Sequence, residues 1–307
     1  MRTAAVLLTC LVLVGGACSS DGEDDATSDS TSVSQGATPN IDFTVTGDEY
    51  RFDLPEEVPG GVVTISFENE GRLRHEAGIV AVGETPLEQV VVDLTPVLEG
   101  TGSAIPDYLT FYGGIGETAP EATGSATLTL PEGRFVMFCS LTDIDSVDAL
   151  PQPGPPLPAH YSTGMAREFT VERANVDLLP AGDGTVVASD YAFDVPVLSA
   201  GTRTVVLRNT GTQMHVGAFL AFPDEVDATA ARQALDTILA APGGPLPEGV
   251  PEPTDAASAG PFPPGGGGTF DIELERGRTY AVVCYLPDRA GGPPHAAMGM
   301  LSVFTIS

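Results

Sequence analysis

Eight residues of types that bind soft metal ions recur in the same order in two parts of this 307-residue chain. The order is His, Cys, His, Met, and it uses all four histidines of the sequence. The first set is His75, Cys139, His160 and Met165, and the second is His215, Cys284, His295 and Met300. A thiolate, two imidazoles and a weak thioether suit copper, because this mixture of ligands tolerates both Cu(I) and Cu(II). The sets predict a metal-binding chain with room for one or two copper ions.

The spacing between these residues repeats as well. The phrase N-x-G-x3-H ends in His75 in one copy and in His215 in the other, and each closing histidine stands five positions before its methionine. Met298 is a rival of Met300 for the fourth position of the second set. The repeat favours Met300, because Met165 is its counterpart. Coincidence explains such a doubled set poorly.

The elements that must position these residues also occur twice. The segment that starts at Asp48 matches the segment that starts at Ser189, with Tyr, Phe and Pro at equivalent positions. Each copy then closes in a short apolar strand. The repeat predicts two homologous domains, residues 40–173 and residues 174–307.

Within each half the apolar residues alternate over short runs, such as VVTISFEN and TVVLRN, bounded by Gly, Pro and Asn. A period of two predicts half-buried strands, and hence an all-β fold of two β-sandwiches. One helix is predicted in each half. The first is TPLEQVVVDL, which opens with a capping box at Thr85, and the second is DEVDATAARQALDTILAA, with Leu235 on its apolar face. The Pro/Gly-rich stretches after the helices are interpreted as irregular surface loops.

The first 17 residues have the pattern of an export signal, with one Arg, an apolar run and small residues before Cys18. The apolar run is too short to span a membrane. The ending VGGAC resembles the bacterial lipobox, which implies a lipidated Cys18. Residues 18–39 are rich in Ser, Thr and Asp, which predicts a disordered tether. We therefore expect a lipoprotein held to the outer face of the bacterial cell membrane by its lipid alone, with ordinary secretion as the alternative.

The charge of the chain excludes one class of partner. The formal net charge is -29, and its 13 basic residues are all arginine. Such a surface repels nucleic acid and anionic lipid headgroups. It suits a cationic redox or copper-donor protein. The sequence contains no hydrolase or phosphate-loop motif and no histidine for a second kind of metal centre, so an enzyme is not predicted.

At these residues both halves resemble the cupredoxin, or blue (type 1) copper, family. The family phrase G-x-[YF]-x3-C occurs as GRFVMFC, which ends in Cys139, and with one extra residue as GRTYAVVC, which ends in Cys284. The resemblance covers nearly all of residues 40–307 and implies two tandem cupredoxin-like Greek-key β-sandwiches, each with one inserted helix. It also implies that the two histidines and the cysteine of each half are equatorial ligands and that the methionine is axial.

If only one site holds copper, the sequence favours the second site over the first. The family's Cys-to-His loop is usually short, and here it has ten residues in the second half and twenty in the first. The cost of closing a loop grows only logarithmically with its length, so the longer loop is tolerable. Two alternatives stay open at this point: a disulfide between Cys139 and Cys284 in an oxidising compartment, or a metal-free β-sandwich that binds a partner through its loops.

Overall fold

A computed structural model describes most of the chain after the predicted tether. The described residues are 41–98, 105–143, 157–173, 179–240, 248–289 and 292–307. The predicted signal, Cys18 and the tether lie outside them, as does most of the longer Cys-to-His loop. Among the described residues, no helix has the length and apolar character needed to cross a membrane.

The first half consists of two sheets packed face to face. Its elements are β1 Ile41–Asp48, β2 Arg51–Asp53, β3 Glu57–Val58, β4 Gly61–Asn69, β5 His75–Ala81, α1 Leu87–Leu98, β6 Thr110–Thr118, β7 Thr123–Leu130, β8 Gly133–Phe138, α2 His160–Thr163 and β9 Ala166–Val171. In one layer β1 runs parallel to β4, and β4 pairs antiparallel with β7. The other layer has the order β3-β9-β8-β5-β6.

The second half repeats this plan. Its elements are β10 Gly184–Ser189, β11 Ala192–Asp194, β12 Gly201–Asn209, β13 His215–Ala221, α3 Ala228–Ala240, β14 Thr254–Phe262, β15 Gly267–Leu274, β16 Thr279–Val283, a 3-10 helix His295–Met298 and β17 Leu301–Thr305. The predicted all-β fold of two cupredoxin-like sandwiches with an inserted helix in each is confirmed. Each half has, in addition, a single helical turn that begins at its second histidine.

The inserted helices form where the apolar patterns predicted them. Helix α1 buries Val90 and Leu94, and helix α3 buries Ala231 and Leu235. Each packs against the second layer of its own half, in a small cluster separate from the main core. The helices therefore cover the outside of a sheet and leave its inner face to the core.

The interpretation of the Pro/Gly-rich stretches as loops was wrong for two strands. The stretch after α3 contains β14, and the GGGG run continues into β15 with Gly267 and Gly268 buried. Strand β6, after α1, is also rich in glycine. Small residues have low strand propensity, and here pairing with β13 and β5 overrides it.

One sheet crosses from the first half to the second. Strand β7 pairs antiparallel with β15, with Leu128 opposite Gly268 and Thr127 opposite Thr269, so the first layers join into a single eight-stranded sheet. The main core is also one cluster that contains buried residues of both halves. The two repeats thus share a sheet and a core. The predicted domain boundary between residues 173 and 174 stays a prediction.

A side chain at Gly268 would collide with the first half, because a Cβ there would lie 2.8 Å from Leu128 Cδ2. We expect Gly268→Val to lower the free energy of unfolding by about 1–3 kcal/mol through overpacking. Gly116→Val is the matched control, since a Cβ at that strand position meets nothing within 4 Å. Urea denaturation measures both variants, and equal destabilisation by the two would contradict the packing at this junction.

Candidate metal centres

A buried asparagine sets the first histidine of each half in place. The Asn69 side chain donates to the carbonyl oxygens of Leu73 at 2.8 Å and Thr118 at 2.9 Å, and its Oδ1 accepts from the Gly71 N–H at 3.0 Å. These bonds fix the turn between β4 and β5. Strand β5 then begins at His75, whose imidazole is fully buried.

Asn209 makes the same three bonds in the second half, and β13 then begins at His215. Both turns pass close to the imidazole they position. A Cβ on Gly71 would lie 3.1 Å from the Nε2 of its histidine, and a Cβ on Gly211 would lie 2.7 Å from the Nε2 of His215. The phrase N-x-G-x3-H thus requires its asparagine for hydrogen bonds and its glycine for space.

Each cysteine follows a strand that lies in the centre of the core. Cys139 follows β8 and Cys284 follows β16, and both are fully buried, free thiols. The alternative of a disulfide between them is therefore wrong. The backbone N–H of Glu76 donates to Cys139 Sγ at 3.4 Å. In the second half, the backbone of Val216 opposes the effect of burial and lowers the pKa of the Cys284 thiol.

Backbone hydrogen bonds hold the closing pair of residues in the first half. The His160 N–H donates to the Leu141 carbonyl at 2.8 Å, and the Tyr161 N–H donates to the Cys139 carbonyl at 2.9 Å. The Met165 N–H donates to the His160 carbonyl at 2.9 Å, and the cysteine N–H donates to the Met165 carbonyl at 3.1 Å. Histidine, methionine and cysteine are thus linked through their main chains.

The second half has the same four bonds. The His295 N–H donates to Leu286 at 2.8 Å and the Ala296 N–H donates to Cys284 at 2.8 Å. The Met300 N–H donates to His295 at 2.9 Å, and the Cys284 N–H donates to Met300 at 3.2 Å. The geometry that brings the ligands together is therefore repeated, and it is independent of the sequence between the bonded residues.

The loops before the second histidines close at corresponding points. A bridge pairs Thr142 with Ala159 in the first half and Pro287 with Pro294 in the second. The extra length of the first loop therefore lies beyond its bridge, mostly outside the described residues. The length difference does not change the ligand geometry, and the preference for the second site stays a prediction.

Three donor atoms converge in each half. His75 Nδ1 lies 3.1 Å from His160 Nδ1. Cys139 Sγ lies 3.8 Å from His75 Nδ1 and 3.5 Å from His160 Nδ1. The corresponding separations in the second half are 3.2, 3.9 and 3.5 Å. A circle through atoms at such separations has a radius of about 2 Å, which is the usual bond length between a metal and an imidazole nitrogen. Each set of donors therefore fits around one metal ion.

A carboxylate fixes the tautomer of one imidazole in each site. His160 Nε2 lies 3.2 Å from Asp143 Oδ1, and His215 Nε2 lies 3.1 Å from Asp190 Oδ1. A carboxylate holds the ring proton on Nε2, so the lone pair is on Nδ1, where it faces the cysteine. The carboxylate thus contacts the second histidine in the first half and the first histidine in the second half.

Burial keeps the donors uncharged. Burial, together with the neighbouring His160, lowers the pKa of His75 to about 4, and burial also lowers the pKa values of His215 and His295. Burial raises the pKa of both cysteine thiols. Within the described residues, the Nε2 atoms of His75 and His295 are buried without a hydrogen-bond partner. The two clusters thus hold imidazoles and a thiol away from water, with one carboxylate beside one imidazole in each.

The methionines of the two sets lie in the core with the cysteines. Met165 and Met300 are 0% exposed, whereas Met298 is 41% exposed, and the choice of Met300 over Met298 stays a prediction. Their role as axial ligands stays a prediction.

A tyrosine covers the second histidine of each site, and sequence reasoning did not assign it there. The Tyr50 ring packs edge-on against His160 with centroids 5.2 Å apart, and the Tyr191 ring packs in the same way against His295 at 5.4 Å. Both tyrosines have a left-handed backbone, with φ of 65° and 64°. Each hydroxyl donates to an aspartate of the Cys-to-His loop, for Tyr50 at 2.7 Å to Asp143.

Each half is thus a cupredoxin-like β-sandwich in which two imidazoles and a thiol converge at one end, in an arrangement that could hold a metal ion. Two buried His, Cys, His groups suited to a metal ion are present in the described part of the chain, and they contain all four of its histidines. The donor set and its spacing fit copper.

Solved structures similar to this chain include two auracyanins and an azurin. Reduced auracyanin from the photosynthetic bacterium Roseiflexus castenholzii is 23% identical and covers 42% of this chain and 99% of its own, with a TM-score of 0.27. Auracyanin A, a "blue" copper protein from Chloroflexus aurantiacus, is 20% identical and covers 44% and 100%, with a TM-score of 0.29. An azurin from Methylomonas sp. strain J is 14% identical and covers 46% and 100%, with a TM-score of 0.28. No protein-family model and no curated protein matches the chain.

The lowered pKa of His75 predicts how the stability of the metal-free protein changes with pH. Between about pH 6.5 and pH 4 the unfolded state binds a proton at this position and the folded state does not, so stability decreases as the pH falls. One such histidine contributes a slope of about 1.4 kcal/mol per pH unit. Urea denaturation of metal-free protein across this range measures the slope. His75→Gln should reduce the slope, and an unchanged slope would show that the imidazole is already protonated in the folded state.

Proposed function

We propose that this protein is an exported, lipid-anchored copper protein that accepts and donates single electrons at the cell envelope, with one mononuclear copper in each half. The observation that carries the proposal is the convergence of two imidazole nitrogens and one thiol sulfur, with nearly equal separations, in both halves. When bound, copper supplies a centre that changes its charge by one unit.

The protein groups around the donors support this role. The backbone N–H of Glu76 donates to Cys139 Sγ and stabilises its thiolate form, and the backbone of Val216 lowers the pKa of Cys284. Asp143 and Asp190 orient one imidazole in each site. Because the donors are held before any ion binds, a change of oxidation state requires little movement of the protein, which favours rapid electron transfer.

Burial favours electron transfer over delivery of copper to another protein. The eight residues of the two sets are at most 1% exposed. Handing an ion to a second protein requires exchange of ligands, and the ligands must then be accessible. An electron needs no such access. The absence of any further metal cluster among the described residues also gives no support to a catalytic copper enzyme.

The central test is the copper content and colour of the purified protein. With Cu(II) we expect two ions per chain and an intense blue or green absorption from thiolate-to-copper charge transfer. Cys139→Ser and Cys284→Ser should each retain one ion and roughly half of the absorption, and the double variant should retain neither. Met298→Leu is the control, because this exposed side chain should leave the spectrum unchanged while Met300→Leu shifts it. A colourless protein that loses its copper on dialysis would refute the proposal and favour a metal-free binding module.

Anchoring at the membrane is proposed from the lipobox-like ending at Cys18 and the polar tether after it. Several acyl chains on one cysteine give stable anchoring, because each buried methylene contributes about 0.8 kcal/mol. Full-length protein expressed in a bacterial host should therefore partition with membranes, and Cys18→Ser should release it into the soluble exported fraction. Cys10→Ser, within the predicted signal, is the matched control. Equal partition of the two variants would favour ordinary secretion.

A further inference from the structure

We propose that the two metal sites exchange electrons with two different partners, at opposite ends of the molecule, and not directly with each other. This inference rests on the proposed function. It follows from the direction in which the shared sheet runs through the two halves and from the different residues that surround the two sites.

The shared sheet places the sites at opposite ends. Strand β4 leads to the first site at Asn69, and β12 leads to the second at Asn209. Strand β4 is antiparallel to β7, β7 is antiparallel to β15, and β15 is antiparallel to β12. Three successive reversals make β4 and β12 point in opposite directions, so their site ends lie on opposite sides of the sheet.

The register gives the separation. Val63, Leu128, Gly268 and Leu207 face one another in turn across the four strands. The two asparagines lie on opposite sides of this line, at positions 69 and 209. At about 3.3 Å per residue and about 4.8 Å per strand, they are on the order of 30 Å apart.

An ion pair between the halves supports this arrangement independently. Arg289, in the Cys-to-His loop of the second site, lies 3.2 Å from Asp107. Asp107 precedes β6, and the other end of β6 is Thr118, which pairs with His75 of the first site. The loop of the second site therefore contacts the end of the first half that lies away from the first site. Because electron tunnelling decreases steeply with distance, direct transfer across such a length is slow.

The surfaces around the two sites differ in charge. The turn that leads to the first histidine carries Glu70, Arg72, Arg74 and Glu76 in the first half and Thr210, Thr212, Met214 and Val216 in the second. Arg74 is paired with Glu117 at 2.7 Å. Glu121, exposed beside this turn, has Gly265 as its counterpart, and each donates its N–H to the asparagine of its own half.

The first site is therefore surrounded by more acidic residues than the second, whose neighbouring carboxylates are Asp190 and Asp288. The unpartnered, buried Nε2 of His75 lies directly beneath the turn that contains Gly71. An acidic surface attracts a cationic partner and accelerates its approach at low ionic strength. The structure thus assigns a partner with a cationic docking surface to the first site and a partner with a less strongly charged surface to the second.

The separation is tested by double electron–electron resonance on the protein loaded with Cu(II) at both sites. We expect a dipolar distance on the order of 30 Å, and a distance below about 20 Å would overturn the arrangement. Cys139→Ser, with a single ion, is the control and should give no dipolar modulation. A protein that binds no copper refutes the proposed function, whereas two bound ions at a short distance refute only this inference.

The partner chemistry is tested with two small one-electron donors of opposite charge, hexaammineruthenium(II) and hexacyanoferrate(II). Each reagent loses one electron, so that Ru(II) becomes Ru(III) or Fe(II) becomes Fe(III). The copper gains this electron and changes from Cu(II) to Cu(I). In Cys284→Ser, which keeps the first site, rising ionic strength should slow the cation several-fold and accelerate the anion. In Cys139→Ser both dependences should be weaker than in Cys284→Ser, because fewer carboxylates surround the second site. Equal salt dependences at the two sites would overturn the assignment.

Substitutions locate the effect on the surface. In the single-site protein that keeps the first site, Glu70→Gln with Glu121→Gln should reduce the salt dependence for both donors. Glu57→Gln, an exposed glutamate of β3 remote from the site, is the matched control.

A readout independent of copper is the ratio of rates at which cationic and anionic methanethiosulfonates modify the metal-free thiol. This ratio should be higher at Cys139 than at Cys284, and a reversed ratio would contradict an acidic surface at the first site.

Discussion

The structure around each site depends on three lone pairs that face one another away from water. Two imidazole nitrogens and a thiol at 3.1 to 3.8 Å, fully buried, have lost their hydration and gain at most weak hydrogen bonds from one another. Such a cluster does not stabilise a fold by itself. In the first half, surrounding hydrogen bonds hold each donor from a different direction: the Asn69 turn positions His75, Asp143 contacts His160 and the Glu76 N–H contacts Cys139. In the second half, the Asn209 turn and Asp190 both act on His215.

The five-residue spacing between histidine and methionine is a backbone requirement. A single helical turn begins at each histidine and ends at Gly164 or Gly299, with φ of 130° and 109°. A residue with a side chain is strained in this conformation, whereas glycine is not. The turn then returns the methionine N–H to the histidine carbonyl. The spacing is therefore constant although the loops before the two histidines differ twofold in length.

The local parts of this architecture could be predicted from the sequence, and the non-local parts could not. Alternating strands, two amphipathic helices and the ordered ligands are local patterns, and the repeat reinforced them. Strands β6 and β14 are formed from residues with low strand propensity, so only pairing with a neighbour reveals them. The junction between β7 and β15 depends on the fit of a glycine against Leu128, which no periodicity shows. A signal did exist for the site aspartates, since Asp143 and Asp288 both stand four residues after their cysteine.

The carboxylates near the site histidines show how two halves with the same fold have sites that differ in their hydrogen bonds. Glu49 and Asp190 occupy equivalent positions and differ by one methylene. Glu49 accepts the backbone N–H groups of Arg72 and Leu73 and leaves the Nε2 of its histidine without a partner. Asp190 accepts N–H groups of the corresponding turn and also reaches its histidine.

In the first site the carboxylate contact is made instead by Asp143, on the other histidine. A carboxylate raises the basicity of the imidazole that it contacts. Equal donor distances in the two halves therefore do not imply equal electron density on the donors. The contacted imidazole belongs to the helical turn at His160 in the first half and to the start of β13 at His215 in the second. The halves therefore present their sites differently to any partner, even though one backbone plan builds both.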